Sequence, residues 1–236
     1  MLKLEDIHTY YGNSHILQGI SFELPAGKCI ALLGRNGAGK TTTIHSIAGL
    51  IPLRRGSIRY QGKEIAGKAP FQIARLGMGL VPQGRRIFPS LTIRENLTMP
   101  ARDSKDTSGK NHKWDLNKVY ELFPILQERE KNMGTQLSGG QQQMLAIGRA
   151  LMTNPECMLM DEPSEGLAPV IISQIRDILV KLKESGLSIL LVEQNLFLAC
   201  SVADEVLVIN KGQIVWQGKP EQLMENEEVQ HLYLGV

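Results

Sequence analysis

The sequence predicts an α/β fold whose parallel-strand core is interrupted by a helical insertion. Three observations carry that expectation. A glycine-rich turn, "GRNGAGK", lies between a short apolar run and a segment with helical spacing. Short apolar runs return late in the chain at "ECMLMDE", "LSILLVE" and "DEVLVIN", with a long amphipathic stretch between the first two. From about residue 90 to 151 the strand pattern disappears, and the segments there suit helices.

In chain order, "ISFELPAG" alternates and then turns at Pro25, Ala26 and Gly27. "KCIALLG" reads as a buried strand ending in glycine, and "KTTTIHSIAGLI" as a helix that stops near Gly49 and Pro52. "GSIRYQGKEI" reads as a hairpin-like strand pair, "APFQIARLG" as a short helix and "MGLVPQ" as a strand end. Helices are expected in "LTIRENLTM", "LNKVYELFPIL" and "GGQQQMLAIGRALMT". The polar, turn-rich "PARDSKDTSGKNHK" is expected to be a surface loop. "PVIISQIRDILVKLKESG" reads as the helix that joins two parallel strands. "GQIVWQG" reads as a small hairpin and "PEQLMENEEVQHLYLG" as a terminal helix. Spacing alone does not set the strand order.

Composition narrows the class. With 236 residues, 42% of them hydrophobic, the chain can bury one large core with an appended subdomain. A net charge of +2 is too near balance to suggest nucleic acid as a partner. Cys29, Cys157 and Cys200 lie in apolar surroundings without a CxxC pair, so buried thiols in a reducing compartment are expected. "MLKLEDIHTYYG" has no basic region followed by an apolar core, so no signal peptide is expected, and the apolar runs are far too short to span a bilayer. The expected location is cytoplasmic, with any membrane association made through a partner.

Two motifs carry chemistry. Gly34, Arg35, Asn36, Gly37, Ala38, Gly39, Lys40 and Thr41 fit G-x-x-x-x-G-K-[ST] in full. Small residues let successive N–H groups turn inward around phosphate oxygens, and the following helix, continuing through Thr42, presents its positive end to the same anion. Lys40 then supplies a point charge to the outer phosphates, and Thr41 a hydroxyl to Mg²⁺. Asp161 and Glu162 end an apolar strand, where α/β sheets bind ligands. Asp161 suits Mg²⁺, and Glu162 suits polarising an attacking water.

A second glycine pair, Gly139-Gly140, follows Ser138 and opens another helix. One triphosphate does not need two cradles in one chain. Two chains facing head-to-tail could each close the Ser138 loop over the other's ATP; an ordinary capped helix is the alternative.

The order of "GRNGAGKT", "VPQ", "LSGGQ" and "MDEPS" resembles the ATP-binding subunits of ABC transporters across essentially the whole chain. That resemblance implies a P-loop core with a mixed sheet, an N-terminal antiparallel β subdomain and an inserted α-helical subdomain. It implies one ATPase domain over residues 1–236, with 1–89 and 152–236 forming the core and β subdomain and 90–151 the insertion. It further implies ATP and Mg²⁺ as cofactors and ATP hydrolysis coupled to transport. Tyr11 matches the residue that stacks on adenine, with Tyr10 as the other candidate. Gln83 matches the glutamine that reaches the metal and the water. Ser138, Gly139, Gly140 and Gln141 match the signature that contacts the partner's nucleotide.

Two positions depart from the common pattern. Glu165 stands in "SEGL" where many members read "SALD", and Gln194 takes the place of the switch histidine. Glutamine can donate a hydrogen bond to a γ-phosphate but cannot carry a histidinium's charge. Both departures, with "PQGRRIFPSLTIRENL", "DEPSEGLAP" and the ending "YLGV", resemble one ATPase subunit of the branched-chain amino acid importers. Such a subunit implies a second ATPase subunit, a paralogue or a second copy, two membrane permeases and a separate solute-binding protein. It implies a peripheral position on the cytoplasmic face of the membrane. "YYGNSHILQG" also resembles the related importers of urea and short amides. A non-transport ABC ATPase fits less well, because no second ATPase half or long coiled coil is present.

Overall fold

The computed structural model describes residues 1–102 and 114–235. Most of the polar stretch expected to be a surface loop, residues 103–113, lies outside the described residues.

Two sheets organise the chain. The first is antiparallel: β1 (Leu2–Tyr11), β2 (Ser14–Leu24), β4 (Leu53–Tyr60) and the short β5 (Lys63–Glu64), ordered β2-β1-β4-β5. The second is mixed and has six strands. It contains β3 (Cys29–Leu33), β6 (Met78–Val81), β7 (Cys157–Asp161), β8 (Ser188–Glu193), β9 (Glu205–Asn210) and β10 (Gln213–Gly218). Its order is β10-β9-β3-β8-β7-β6, parallel throughout except for β10, which runs antiparallel to β9. "GQIVWQG" is therefore one arm of a hairpin with β9 rather than a hairpin in itself.

Strands β3, β7 and β8 are buried at every position. The reason is that both faces are covered, which is what continuous apolar runs require. Ala31, Met160, Leu191 and Val208 point into a core with the helices, while Leu32, Leu159, Leu190 and Ile209 point into a second core with the antiparallel sheet. Truncating one of these leucines to alanine costs about 2–5 kcal/mol.

Helix α1 (Lys40–Ile47) follows β3 directly, and α2 (Pro70–Arg75) precedes β6. Between β6 and β7 lie α3 (Ile93–Thr98), α4 (Leu116–Leu122), α5 (Pro124–Glu128) and α6 (Gly139–Leu151). Thr92 and Glu95 form a reciprocal capping box that starts α3. Pro124 divides α4 from α5, since proline cannot continue the helical ladder but suits a first turn. Helix α7 (Pro169–Glu184) joins β7 to β8, and α8 (Leu196–Val202) joins β8 to β9.

The expected single terminal helix is broken into α9 (Pro220–Met224), α10 (Glu227–Val229) and a π-helical turn, Gln230–Leu234. Asn226 causes the break. Its carboxamide oxygen accepts from Val229 N at 3.0 Å and starts a new turn instead of extending the old one. Among the described residues no helix is long and apolar enough to cross a membrane.

Candidate active site

The topology brings four strand ends together. Reading across the sheet, β3, β8, β7 and β6 are neighbours, and their C-terminal ends carry the 34–42 loop, Gln194, Asp161 with Glu162, and Gln83. Segments distant in sequence thus meet at one edge, where parallel sheets place ligands.

Gly34 through Gly39 form the turn, and Lys40, Thr41 and Thr42 the first turn of α1. A side chain at Gly34 would place its Cβ 2.5 Å from the Ile209 carbonyl, so only glycine fits there. Gly39 caps α1 without a side-chain hydrogen bond, and no acidic residue lies in the first turn. The helix end therefore keeps its amide donors and its positive potential for an anion.

Lys40 is buried, and its ammonium has three oxygen partners. It donates to Gly34 O at 2.8 Å and Arg35 O at 3.1 Å and pairs with Glu162 Oε1 at 3.0 Å. The other oxygen of Glu162 accepts from Gln194 Nε2 at 2.7 Å and, more weakly, from Gln83 Nε2 at 3.4 Å. Gln194 Nε2 also reaches Asn36 Oδ1 at 2.7 Å, which ties the β8 end to the glycine-rich turn. Gln83 Nε2 donates to Glu165 Oε2 at 3.1 Å, so the glutamine lies between two carboxylates.

Thr41 donates its hydroxyl to Asp161 Oδ1 at 3.1 Å. Burial pushes the Asp161 carboxyl up to about 6, against the opposing effect of the Thr41 hydrogen bond, while nearby Glu162 adds to the rise. The buried acids Asp161, Glu162 and Glu193 outnumber the buried cation Lys40. A hydroxyl, a carboxylate and this surplus of negative charge fit a hard divalent cation. Among the described residues no group of three or more His, Cys, Asp or Glu side chains could hold a metal alone. That fits a cation whose remaining ligands are phosphate oxygens and water.

The two tyrosines separate clearly. Tyr10 stacks on His15 at 4.2 Å between ring centroids, with the ring planes nearly parallel and the Arg54 guanidinium 5.9 Å from the Tyr10 ring centroid. Tyr11 is 50% exposed at the end of β1. Tyr11 is therefore the ring of the two without a stacking partner among the described residues.

The Ser138–Gln141 turn stands apart. Among the described residues no hydrogen bond or ion pair joins it to the 34–42 loop. Ser138 caps α6, accepting from Gln141 N, while Gln141 Oε1 accepts from Ser138 N at 3.0 Å. Gly140 has an internal reason to be glycine: a Cβ would stand 2.7 Å from the Ile171 side chain on α7. A Cβ at Gly139 would stand 3.0 Å from the Arg85 guanidinium.

One acid was not singled out from the sequence. Glu193 ends β8, and its carboxylate collects donors from Ser164, Gln194 and Asn195. The signal available was an acid closing the apolar run "SILLVE", the pattern that also marks "CMLMDE".

A P-loop, two acids at the end of the next strand but one and a separate serine-glycine helix start define a nucleotide-hydrolysing cassette. The pattern of the ABC transporter family matches residues 17–165, and the chain belongs to that family. It is an ATP-binding and ATP-hydrolysing member. Over 235 residues it is 43% identical to the high-affinity branched-chain amino acid transport ATP-binding protein BraG of Pseudomonas aeruginosa, covering 100% of both chains. It is 31% identical to the lipopolysaccharide export system ATP-binding protein LptB of Escherichia coli, covering 99% of this chain and 97% of that one. Among solved structures, the ADP conformation of an ATP-binding cassette of an ABC transporter superposes with a TM-score of 0.80 at 29% identity, covering 100% and 99% of the two chains. A nucleotide-free cassette superposes with a TM-score of 0.82 at 28% identity, covering 96% and 94%.

Proposed function

We propose that this ATPase powers the import of branched-chain amino acids. The observation that carries the solute is the end-to-end likeness to BraG at 43% identity. The ATPase itself has no call to touch the solute.

The site residues suggest how turnover proceeds. Phosphates entering the 34–42 turn compete with Glu162 for the Lys40 ammonium. Glu162, released from that ion pair, then faces the γ-phosphate and orients a water for attack. Gln194 holds the free oxygen of Glu162 and offers its amide to the same phosphate. Tyr11 stacks on the adenine. Thr41, Asp161 and Gln83 would hold Mg²⁺, which when bound neutralises phosphate charge.

The Ser138, Gly139, Gly140 and Gln141 turn lies away from its own chain's loop, which favours a head-to-tail pair of cassettes with ATP between them. The second cassette is a paralogue or another copy. The helical insertion of residues 90–151 acts in this reading as a lobe on the core of 1–89 and 152–236. A cleft of about 220 Å³ lies where the two meet, lined by Leu50, Ile73, Met78, Pro100 and Arg149. Phe71 and Phe88 are exposed beside it, and Arg149 lies 4.8 Å from the Phe88 ring. An apolar cleft with exposed aromatic rings suits a helix end of a permease subunit. The chain then sits peripherally on the cytoplasmic face, beside two permeases served by a solute-binding protein.

Phosphate release by the assembled transporter tests the catalytic part. Wild type should turn over ATP and Glu162→Gln only at a small residual rate, while trapping an ATP-bound dimer on gel filtration. A variant that hydrolyses at the wild-type rate would overturn the assignment of Glu162.

A further inference from the structure

We propose that Glu193 is a positioning residue that locks the turn carrying Glu162 and the turn carrying Gln194 into one arrangement. The inference rests on the hydrolysis reading above and extends it to a residue outside the 34–42 loop, the Asp161–Glu162 pair, the signature and the switch position.

Glu193 is 1% exposed and has no ion pair among the described residues. Four donors meet its carboxylate instead. Oε1 accepts from Ser164 N at 3.0 Å. Oε2 accepts from the Ser164 hydroxyl at 2.9 Å, from Gln194 N at 3.1 Å and from Asn195 N at 3.2 Å. A carboxylate has about four lone-pair sites, and four donors meet this one, three of them on Oε2 and one on Oε1. Two of the donors belong to the turn after β7 and two to the turn after β8.

That placement matters because the turn after β7 is strained. Glu162 has φ of +48°, a left-handed conformation that a non-glycine residue holds only when its surroundings impose it. Its own amide donates to Val192 O at 2.8 Å, which fixes one side. Ser164, two residues on, is fixed on the other side through both its N–H and its hydroxyl. The same carboxylate fixes the backbone of Gln194, whose side chain holds Glu162 Oε2. One buried acid therefore sets the distance between the residue that orients water and the residue that holds it.

Glutamine at this position has the same shape and the wrong hydrogens. With its carbonyl in the Oε2 place its NH₂ would face the Ser164 N–H, and turned over it would face the Gln194 and Asn195 N–H groups. Aspartate keeps the charge and loses one methylene of reach.

The test compares Glu193→Gln, Glu193→Asp, Glu162→Gln and the double variant Glu162→Gln/Glu193→Gln in the assembled transporter, with kcat, ATP KM and thermal unfolding read for each. Glu193→Gln should remain folded, lose about tenfold or more in kcat and keep ATP KM within about threefold. Glu193→Asp should recover part of that loss. The double variant should be no slower than Glu162→Gln alone, because Glu193 acts through Glu162. Wild-type kcat in a folded Glu193→Gln, or kcat and KM worsening together in step with the unfolding temperature, would overturn the proposal. If Glu193→Gln fails to fold, Ser164→Ala removes a donor from the other side and should give the same split between kcat and KM. Wild-type turnover by Glu162→Gln would instead overturn the hydrolysis reading on which the inference rests.

Discussion

The two ends of the parallel sheet both carry acids, and the acids are treated in opposite ways. At the N-terminal end, Asp204 accepts from Cys29 N at 2.9 Å and pairs with Lys28 at 3.3 Å and Lys183 at 3.8 Å. Burial alone would raise its carboxyl, but the Cys29 amide and the two ammonium groups hold it below its ordinary value. At the C-terminal end, Asp161 and Glu193 are both pushed up by burial, and Lys40 is the buried cation there. Asp204 thus finds its counter-charges within the chain. Among the described residues the C-terminal end holds more buried acids than its one buried cation balances, and such a surplus favours a divalent cation.

The strongest way to break that contrast is at Glu162. Glu162→Gln keeps the shape and removes the base, so turnover should fall about 10²–10⁴-fold in a phosphate-release assay. Retained activity would mean that the crowded end of the sheet is not the reacting end.

Gln194→Ala removes a hydrogen bond to a charged group, and should cost about tenfold in kcat. If a paralogue keeps a histidine at this position, the two sites of a mixed pair should hydrolyse unequally, and equal sensitivity at both switch residues, read by the same assay, would argue against that.

Ser138→Ala sharpens the comparison from outside the sheet. Loss of the cap should lower stability by about 1 kcal/mol, seen in denaturant unfolding of the isolated chain. A loss of transporter turnover larger than that destabilisation explains would indicate contact with the partner's nucleotide.

The smallest effect belongs to Asp204. Because its folded carboxyl is held low, it contributes stability above the ordinary carboxylate value of 3.8, and that contribution disappears as the pH falls through the folded value. Asp204→Asn should therefore melt earlier than wild type at neutral pH, with the gap closing in acid. A gap independent of pH would show that the Asp204 charge is not what matters.

Much of this arrangement was legible in the sequence because the central strands are buried on both faces. Their apolar runs leave little else to be, and the P-loop sits where strand becomes helix. Strand β1 was hidden by a local irregularity. Asp6 has φ of +49°, and the pairing register shifts between Leu4 and Ile7, so the apolar positions do not alternate cleanly. Helix α8 is short and almost wholly apolar, "LFLACSV", and so shows no polar face to mark its period. The choice between Tyr10 and Tyr11 depends on His15 lying across the β1–β2 hairpin, which sequence order alone does not place. Glu193 was missed for a related reason: its four donors come from two turns that meet only in the folded sheet.

The most direct measurement is uptake of labelled leucine and, separately, labelled urea by the native cell, comparing wild type with Lys40→Ala. Loss of leucine uptake with urea uptake intact is the predicted result. Loss of urea uptake alone, or no change in either, would contradict the proposed import of branched-chain amino acids.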